Sequence, residues 1–136
     1  MSALSNYLAD EVVDHLLRNQ AFTPPTTLYL ALFTADTGLN ANLPDSEASY
    51  TGYAREVIAL DAAADGVTAN TATVEFDEAS SGPTVITDVA IVDHLSNTNW
   101  GVDVNVLIWG ALAADKTLAS GETFRIQAGE LDLTVT

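Results

Sequence analysis

Pro24-Pro25-Thr26-Thr27-Leu28-Tyr29-Leu30-Ala31-Leu32-Phe33-Thr34-Ala35-Asp36 is the densest apolar run of the chain, and its reading decides the fold. The two prolines preset an extended backbone and bar a helix across the junction. The Leu, Tyr, Leu, Leu and Phe that follow make a segment short enough for a strand, bounded by the turn chemistry of Asp36-Thr37-Gly38. The run therefore predicts a buried central strand against which the rest of the chain packs.

Upstream, residues 3–19 place Leu4, Leu8, Val12 and Leu16 at steps of four, with Val13 and Leu17 widening the same stripe and Asp10, Glu11, Asp14 and Arg18 on the other side. That periodicity predicts one amphipathic helix over about residues 3–19. Ser2 or Ser5 caps its start, Asp14 and Arg18 stand at the spacing of a weak surface pair, and Asn19-Gln20 followed by Pro24 stops it. Its stripe either covers one end of the sheet or docks on a neighbouring subunit.

Downstream, residues 37–51 are rich in Gly, Asn, Pro, Asp and Ser and read as a long exposed loop. Asp36, Asn40, Asn42 and Asp45 offer oxygens there but lack the glycine and terminal glutamate of a calcium loop, so a solvated acidic loop is expected. Residues 53–60 and 71–76 alternate in polarity, the second with Ala72, Val74 and Phe76 on one face. Residues 84–93 are apolar on both sides for part of their length and read as a second central strand. Residues 104–112 resume with both faces apolar. After Ser120-Gly121-Glu122, Phe124 and Ile126 lead to Leu131, Leu133 and Val135 alternating with polar residues, which predicts a terminal hairpin with one wet face. About seven or eight short strands with turn residues between them, behind one helix, predict a mainly β fold, an antiparallel β-sandwich of jelly-roll type over about residues 26–136. Residues 1–136 read as a single domain.

Nineteen acidic against four basic side chains, a single lysine (Lys116) and a net charge of −15 exclude a nucleic-acid groove or an anionic membrane surface as partner. Such self-repulsion weakens the compact state unless ions screen it, and the screening length falls from about 10 Å in 0.1 M salt to about 3 Å in 1 M. The acid-rich, lysine-poor composition fits work in strong brine. The absence of cysteine removes disulfides and thiolate chemistry. No window approaches a membrane span and the N-terminus lacks a basic leader region, so membrane insertion is not expected and a soluble cytoplasmic product is.

The two histidines, His15 and His94, each adjoin an acid (Asp14, Asp93), but no nucleophile elbow or oxyanion loop accompanies them. The carboxylates are scattered and the glycines stand singly, nearly one per turn, so no catalytic residues, cofactor or metal are expected. Tyr50, Tyr53 and Trp100 are the aromatics expected to lie outside the core, either packed at its edge or placed to stack on a sugar or a partner subunit. With Leu4, Leu8 and Val12 of the helix they form the candidate interface.

Pro25-Thr26-Thr27-Leu28-Tyr29-Leu30-Ala31-Leu32-Phe33-Thr34 after a helix, then Gly52-Tyr53-Ala54-Arg55 after a loop, resemble a family of small tailed-virus virion proteins often labelled short tail-fibre proteins. Later landmarks match in order: Asn70 before an alternating strand ending in Phe76, residues 89–93, Trp109-Gly110-Ala111-Leu112, and Ser120-Gly121-Glu122-Thr123-Phe124 leading to Ala128-Gly129-Glu130-Leu131. The resemblance covers nearly all of the chain and rests on structural motifs. It implies a non-enzymatic virion structural protein, a symmetric homo-oligomer decorating the capsid exterior of a tailed virus. A tail or tail-fibre component and a glycan-binding host-attachment module are the alternatives. The implied partners are its own copies, other virion proteins such as the major capsid protein and, for an attachment module, the host cell surface. Two features depart from the pattern: a longer Asn-rich loop after Asp93, through Trp100 and Asp103, and a higher acidity, which points to a virus of a halophilic host.

Overall fold

The computed structural model describes residues 2–134. In chain order they form β1 (Ser2–Leu4), α1 (Asn6–Arg18), β2 (Leu28–Phe33), β3 (Glu56–Ile58), β4 (Val67–Thr68), β5 (Val74–Glu75), β6 (Thr84–Val92), β7 (Val106–Leu118), β8 (Arg125–Ile126) and β9 (Leu133–Thr134). The expected mainly β fold with one N-terminal helix is what the chain adopts. Five strands make one antiparallel sheet in the order β1-β7-β6-β2-β3. β2 lies inside it, and residues 30–33 are fully buried. Leu30 and Leu32 pack on one face with Ile58, Val89 and Ile91, while Ala31 and Phe33 pack on the other with Ala90, Val92 and Val106. Burial on both faces is why the apolar run shows no alternation.

Among the described residues, the strands outside this sheet form two separate two-stranded ladders, β4-β9 and β5-β8. Val74, Phe76, Phe124, Ile126 and Leu133 of these segments join the Leu30–Leu32 side of the core. The expected terminal hairpin is therefore corrected: β8 and β9 each pair with an earlier strand, not with each other. Asn70 is the reason. Its buried side chain donates to the carbonyls of Ala72 and Gln127, both at 2.9 Å, and accepts from the Leu131 amide at 2.9 Å, while its own carbonyl accepts from Gly129 N at 2.8 Å. The 127–131 turn is thus wound around one amide that anchors it to the start of β5. Val135 lies outside the described residues.

The helix begins later than its periodicity suggests. Leu4 belongs to β1, where it pairs with Ile108 at the free edge of β7. Ser5 makes the break: its backbone N–H still donates to Leu107 O at 2.9 Å, while its buried Oγ donates to Val106 O and accepts from Leu8 N as the helix cap. One side chain therefore closes a strand and opens a helix.

Residues 37–51 are not the exposed loop that their composition predicts. Thr34 N donates to Ser46 O, Ala48 N donates to Leu32 O, and Glu47 bridges to Phe33, so the segment runs back alongside β2. Leu39, Ala48 and Tyr50 are buried. Gly38 sits at φ +79°, and a Cβ there would stand 2.1 Å from Leu43 O, so only glycine permits this return. Asn42, weighed above as an oxygen donor to a cation, instead accepts from Val106 N at 2.7 Å and donates to Asn105 Oδ1 at 2.8 Å. β7 also runs past the predicted end at residue 112. It bulges so that residues 112–115 stand opposite Thr87 alone, and most of its outer half is exposed.

Candidate interaction surfaces

Where loops meet the β3 end of the sheet, Arg55 is buried, its side chain 3% exposed and that of Glu47 17%. Arg55 Nε and Nη2 donate to the two oxygens of Glu47, each at 2.7 Å, and Nη1 donates to His94 O at 2.8 Å. The guanidinium lies 4.8 Å over the Trp100 ring. Tyr53 donates its hydroxyl to Glu47 Oε1 at 2.8 Å and accepts from Leu32 N at 3.2 Å. Its ring stacks on Phe76 and meets Tyr50 edge-on at 5.4 Å, while Trp100 packs near Phe33 at 6.2 Å. Burial first, then the Glu47 charge, pushes the Tyr53 phenol pKa far above its ordinary value.

Tyr53 and Trp100 pack at the edge of the core here, one of the two placements expected for them, while Tyr50 lies inside it. Tyr50 is 6% exposed, and Tyr53 and Trp100 are half-buried. The guanidinium covers one face of Trp100 and Phe76 one face of Tyr53, while Tyr50 and Tyr53 also line an open cavity of about 650 Å³. Glu56, at the start of β3, is partly buried, and that burial, followed by the Asp77 carboxylate, raises its pKa.

α1 presents the opposite situation. Tyr7 and Leu8 pack against the core, burial followed by the Glu11 and Asp93 charges raising the Tyr7 phenol pKa, but no residue of the helix is fully buried. Past its first turns the exposure rises along the apolar stripe: Val12 36%, Val13 50%, Leu16 71% and Leu17 80%. Covering one such side chain yields about 1.5–3 kcal/mol, most of which the single chain does not collect at Leu16 or Leu17. Asn19, left-handed at φ 54°, ends the helix by donating its N–H to Asp14 O, and Arg18 pairs with Asp14 at 2.9 Å on the far side. Of the candidate interface residues, Leu4 is a half-buried strand residue, Leu8 touches the body, and Val12 marks where the bare stretch begins. Val13, Leu16 and Leu17 are the more exposed members. Periodicity placed them on the stripe without telling which part of it the body covers.

Leu43, Leu95 and Val102 are also exposed on loops, with Leu43 lying against Gly101. The 94–103 loop is knitted by its own groups: His94 Nδ1 accepts from the amides of Ser96 and Asn97, and Asn99 Nδ2 donates to Asp103 at 2.7 Å. His15 contacts Gln20 O at 2.8 Å at the other end of α1. Both histidines are thus engaged in local turns. Among the described residues, no group of three or more His, Cys, Asp or Glu side chains is placed to hold a metal, and no helix is long and apolar enough to cross a membrane. A cavity of 770 Å³ lies between β7 and the β8–β9 segments, walled mainly by apolar groups such as Ile91, Ile108 and Ile126, with Lys116, Arg125, Glu130 and Asp132 also lining it.

A family model described as Gp80, podophage GP4 fiber I protein gp80, matches residues 3–134. No curated protein matches the chain.

Proposed function

The chain belongs to the Gp80 family, podophage GP4 fiber I protein gp80, a family of phage virion fibre proteins, and on that premise we propose that it is a non-enzymatic oligomeric subunit of a fibre on the outside of the particle. The bare apolar stripe of α1 on an otherwise well-packed β body is the observation that carries this reading. A folded domain that leaves Leu16 and Leu17 in water has a surface whose hydrophobic gain is realised only on assembly. A subunit role without catalysis is further supported by the two histidines, each held in its own turn far from the other. The acidic surface fits assembly in strong salt, where repulsion between copies is screened.

Of the placements open from sequence, the fibre is favoured over decoration of the capsid because the matched family is described as a fiber protein. Glycan attachment through Tyr50, Tyr53 and Trp100 is disfavoured, since those rings are packed in the Arg55 corner. Antibody labelling of intact particles with reconstruction of the labelled sites tests the placement. Label confined to the tail or its fibres is expected. Label spread evenly over the capsid would replace the fibre by capsid decoration, and a product missing from purified particles would overturn both.

A further inference from the structure

We infer that the bare stripe of α1 is covered by α1 of other copies of this chain, packed in parallel around a symmetry axis. The inference deepens the proposed assembly role by naming the partner of that surface, and it rests on that reading only for the presence of many copies side by side. Written as a heptad, α1 puts Asn6 and Val13 at a, Ala9 and Leu16 at d, Val12 at g and Asp10 and Leu17 at e, so the bare apolar face belongs to the second heptad, the Asn6 side chain being bonded to Asn40. A two-stranded seam uses a and d alone. An apolar face that also takes in neighbouring g and e positions is too wide for one partner helix and matches a bundle of three or more.

The charges make the same surface suited to self-association. Glu11 and Arg18 fall at f, Asp14 at b and His15 at c, so a bundle of α1 helices turns them to the outside, and Asp10 at e is the acid left on the rim. Elsewhere a chain of net charge −15 meets its own copy carboxylate against carboxylate. Orientation follows from the flanks. In an antiparallel pair like flank meets like flank, which would set Asp10 and Asp14 against themselves, whereas a parallel arrangement sets that flank against the one carrying His15. An anionic membrane is a poor alternative occupant, because the polar side of α1 is acidic where interfacial helices are basic.

The bare stripe is short, about 9 Å of helix over residues 12–17 at 1.5 Å per residue, so a concentration-dependent equilibrium strengthened by salt is expected. Light scattering on the eluting full chain in about 1 M NaCl should show a mass at least three times 14.3 kDa. The double variant Leu16→Glu, Leu17→Glu should elute as a monomer with an unchanged circular dichroism spectrum. The chain has no cysteine, so single introduced thiols report register: Leu16→Cys at d should cross-link between copies at least about tenfold faster than Glu11→Cys at f, because a disulfide needs the two Cβ atoms within about 4.5 Å. A wild-type chain that stays monomeric at every concentration, an oligomer that survives the double glutamate variant, or equal cross-linking at the two positions would overturn the inference. An α1-dependent oligomer absent from particles would overturn the fibre role and leave the bundle standing.

Discussion

At the Arg55 corner the charged side chains find their partners inside the molecule, while along the second half of α1 the apolar side chains stay largely in solvent. The guanidinium of Arg55 has both oxygens of Glu47, a carbonyl and an indole face; Leu16 and Leu17 have solvent. The contrast separates two tasks within one chain. Buried polar networks fix geometry, because a half-satisfied member is expensive and few alternative arrangements keep them all bonded. Bare apolar side chains fix nothing until something covers them. The Arg55–Glu47–Tyr53 network is therefore finished within one copy, beside a buried Tyr50 hydroxyl that has no hydrogen-bond partner, while the second half of the α1 stripe is left uncovered there. The longer loop after Asp93 belongs with the corner, since it supplies the His94 carbonyl and Trp100.

Glu47→Ala tests the corner half of the contrast and should have the largest effect. It removes the acceptor of two Arg55 bonds and of the Tyr53 hydroxyl, leaving a guanidinium 3% exposed with one carbonyl and a ring face. Taking one partner from a buried pair costs about 3–5 kcal/mol. Urea unfolding at neutral pH should show a midpoint shift of that size without a changed slope. A loss below about 1 kcal/mol, the usual worth of an exposed pair, would mean that the corner is no more fixed than the surface.

The two regions were unequally legible in the sequence. β2 was plain because a strand buried on both faces needs an unbroken apolar run, and residues 28–33 supply it. The stripe of α1 was plain as a period, yet its first turn was misread, since Leu4 fits a helix repeat as well as it fits a strand paired to Ile108. Only the bonds of Ser5 to β7, its N–H to Leu107 O and its Oγ to Val106 O, decide the boundary, and they span most of the chain. The corner was hidden for the same reason. Arg55 looked like an ordinary polar position of an alternating strand, and neither the return of Glu47 beside β2 nor the arrival of Trp100 leaves a local pattern. Asn70 likewise gave a landmark without a job: alternation at residues 131–135 announces a strand and cannot name its partner.

Tyr53→Phe removes one hydroxyl from the corner and should cost about 1.5–3 kcal/mol at neutral pH, the worth of a hydrogen bond to a carboxylate. Its pH dependence is the sharper reading. Burial and the Glu47 charge hold the native phenol protonated beyond the value near 10 at which the unfolded chain releases it. The native state then binds more protons than the unfolded one above about pH 10, so the stabilising contribution is whole below that pH and declines above it. Wild type should lose stability steadily on alkaline titration, and the phenylalanine variant should show a flatter decline. Equal slopes would show that the phenol is not held neutral by the corner.

Leu17→Ser addresses the other region and should have the smallest effect on a single copy. With the side chain 80% exposed, little packing is lost, and the change in helix propensity is worth only a few tenths of a kcal/mol, so dilute chain should unfold within about 0.5 kcal/mol of wild type. The comparison depends on what happens as concentration rises. Oligomerisation stabilises the folded state by mass action, so if copies cover the stripe, wild type gains stability with concentration and Leu17→Ser gains less. A loss above about 1 kcal/mol that is the same at every concentration would mean that Leu17 is packed within one copy, and the distinction between a finished corner and an unfinished helix would fail. Because Leu17 has no part in the Arg55–Glu47–Tyr53 hydrogen bonds, the dilute losses from Glu47→Ala and Leu17→Ser should add to within about 0.5 kcal/mol, and an excess would reveal coupling between them.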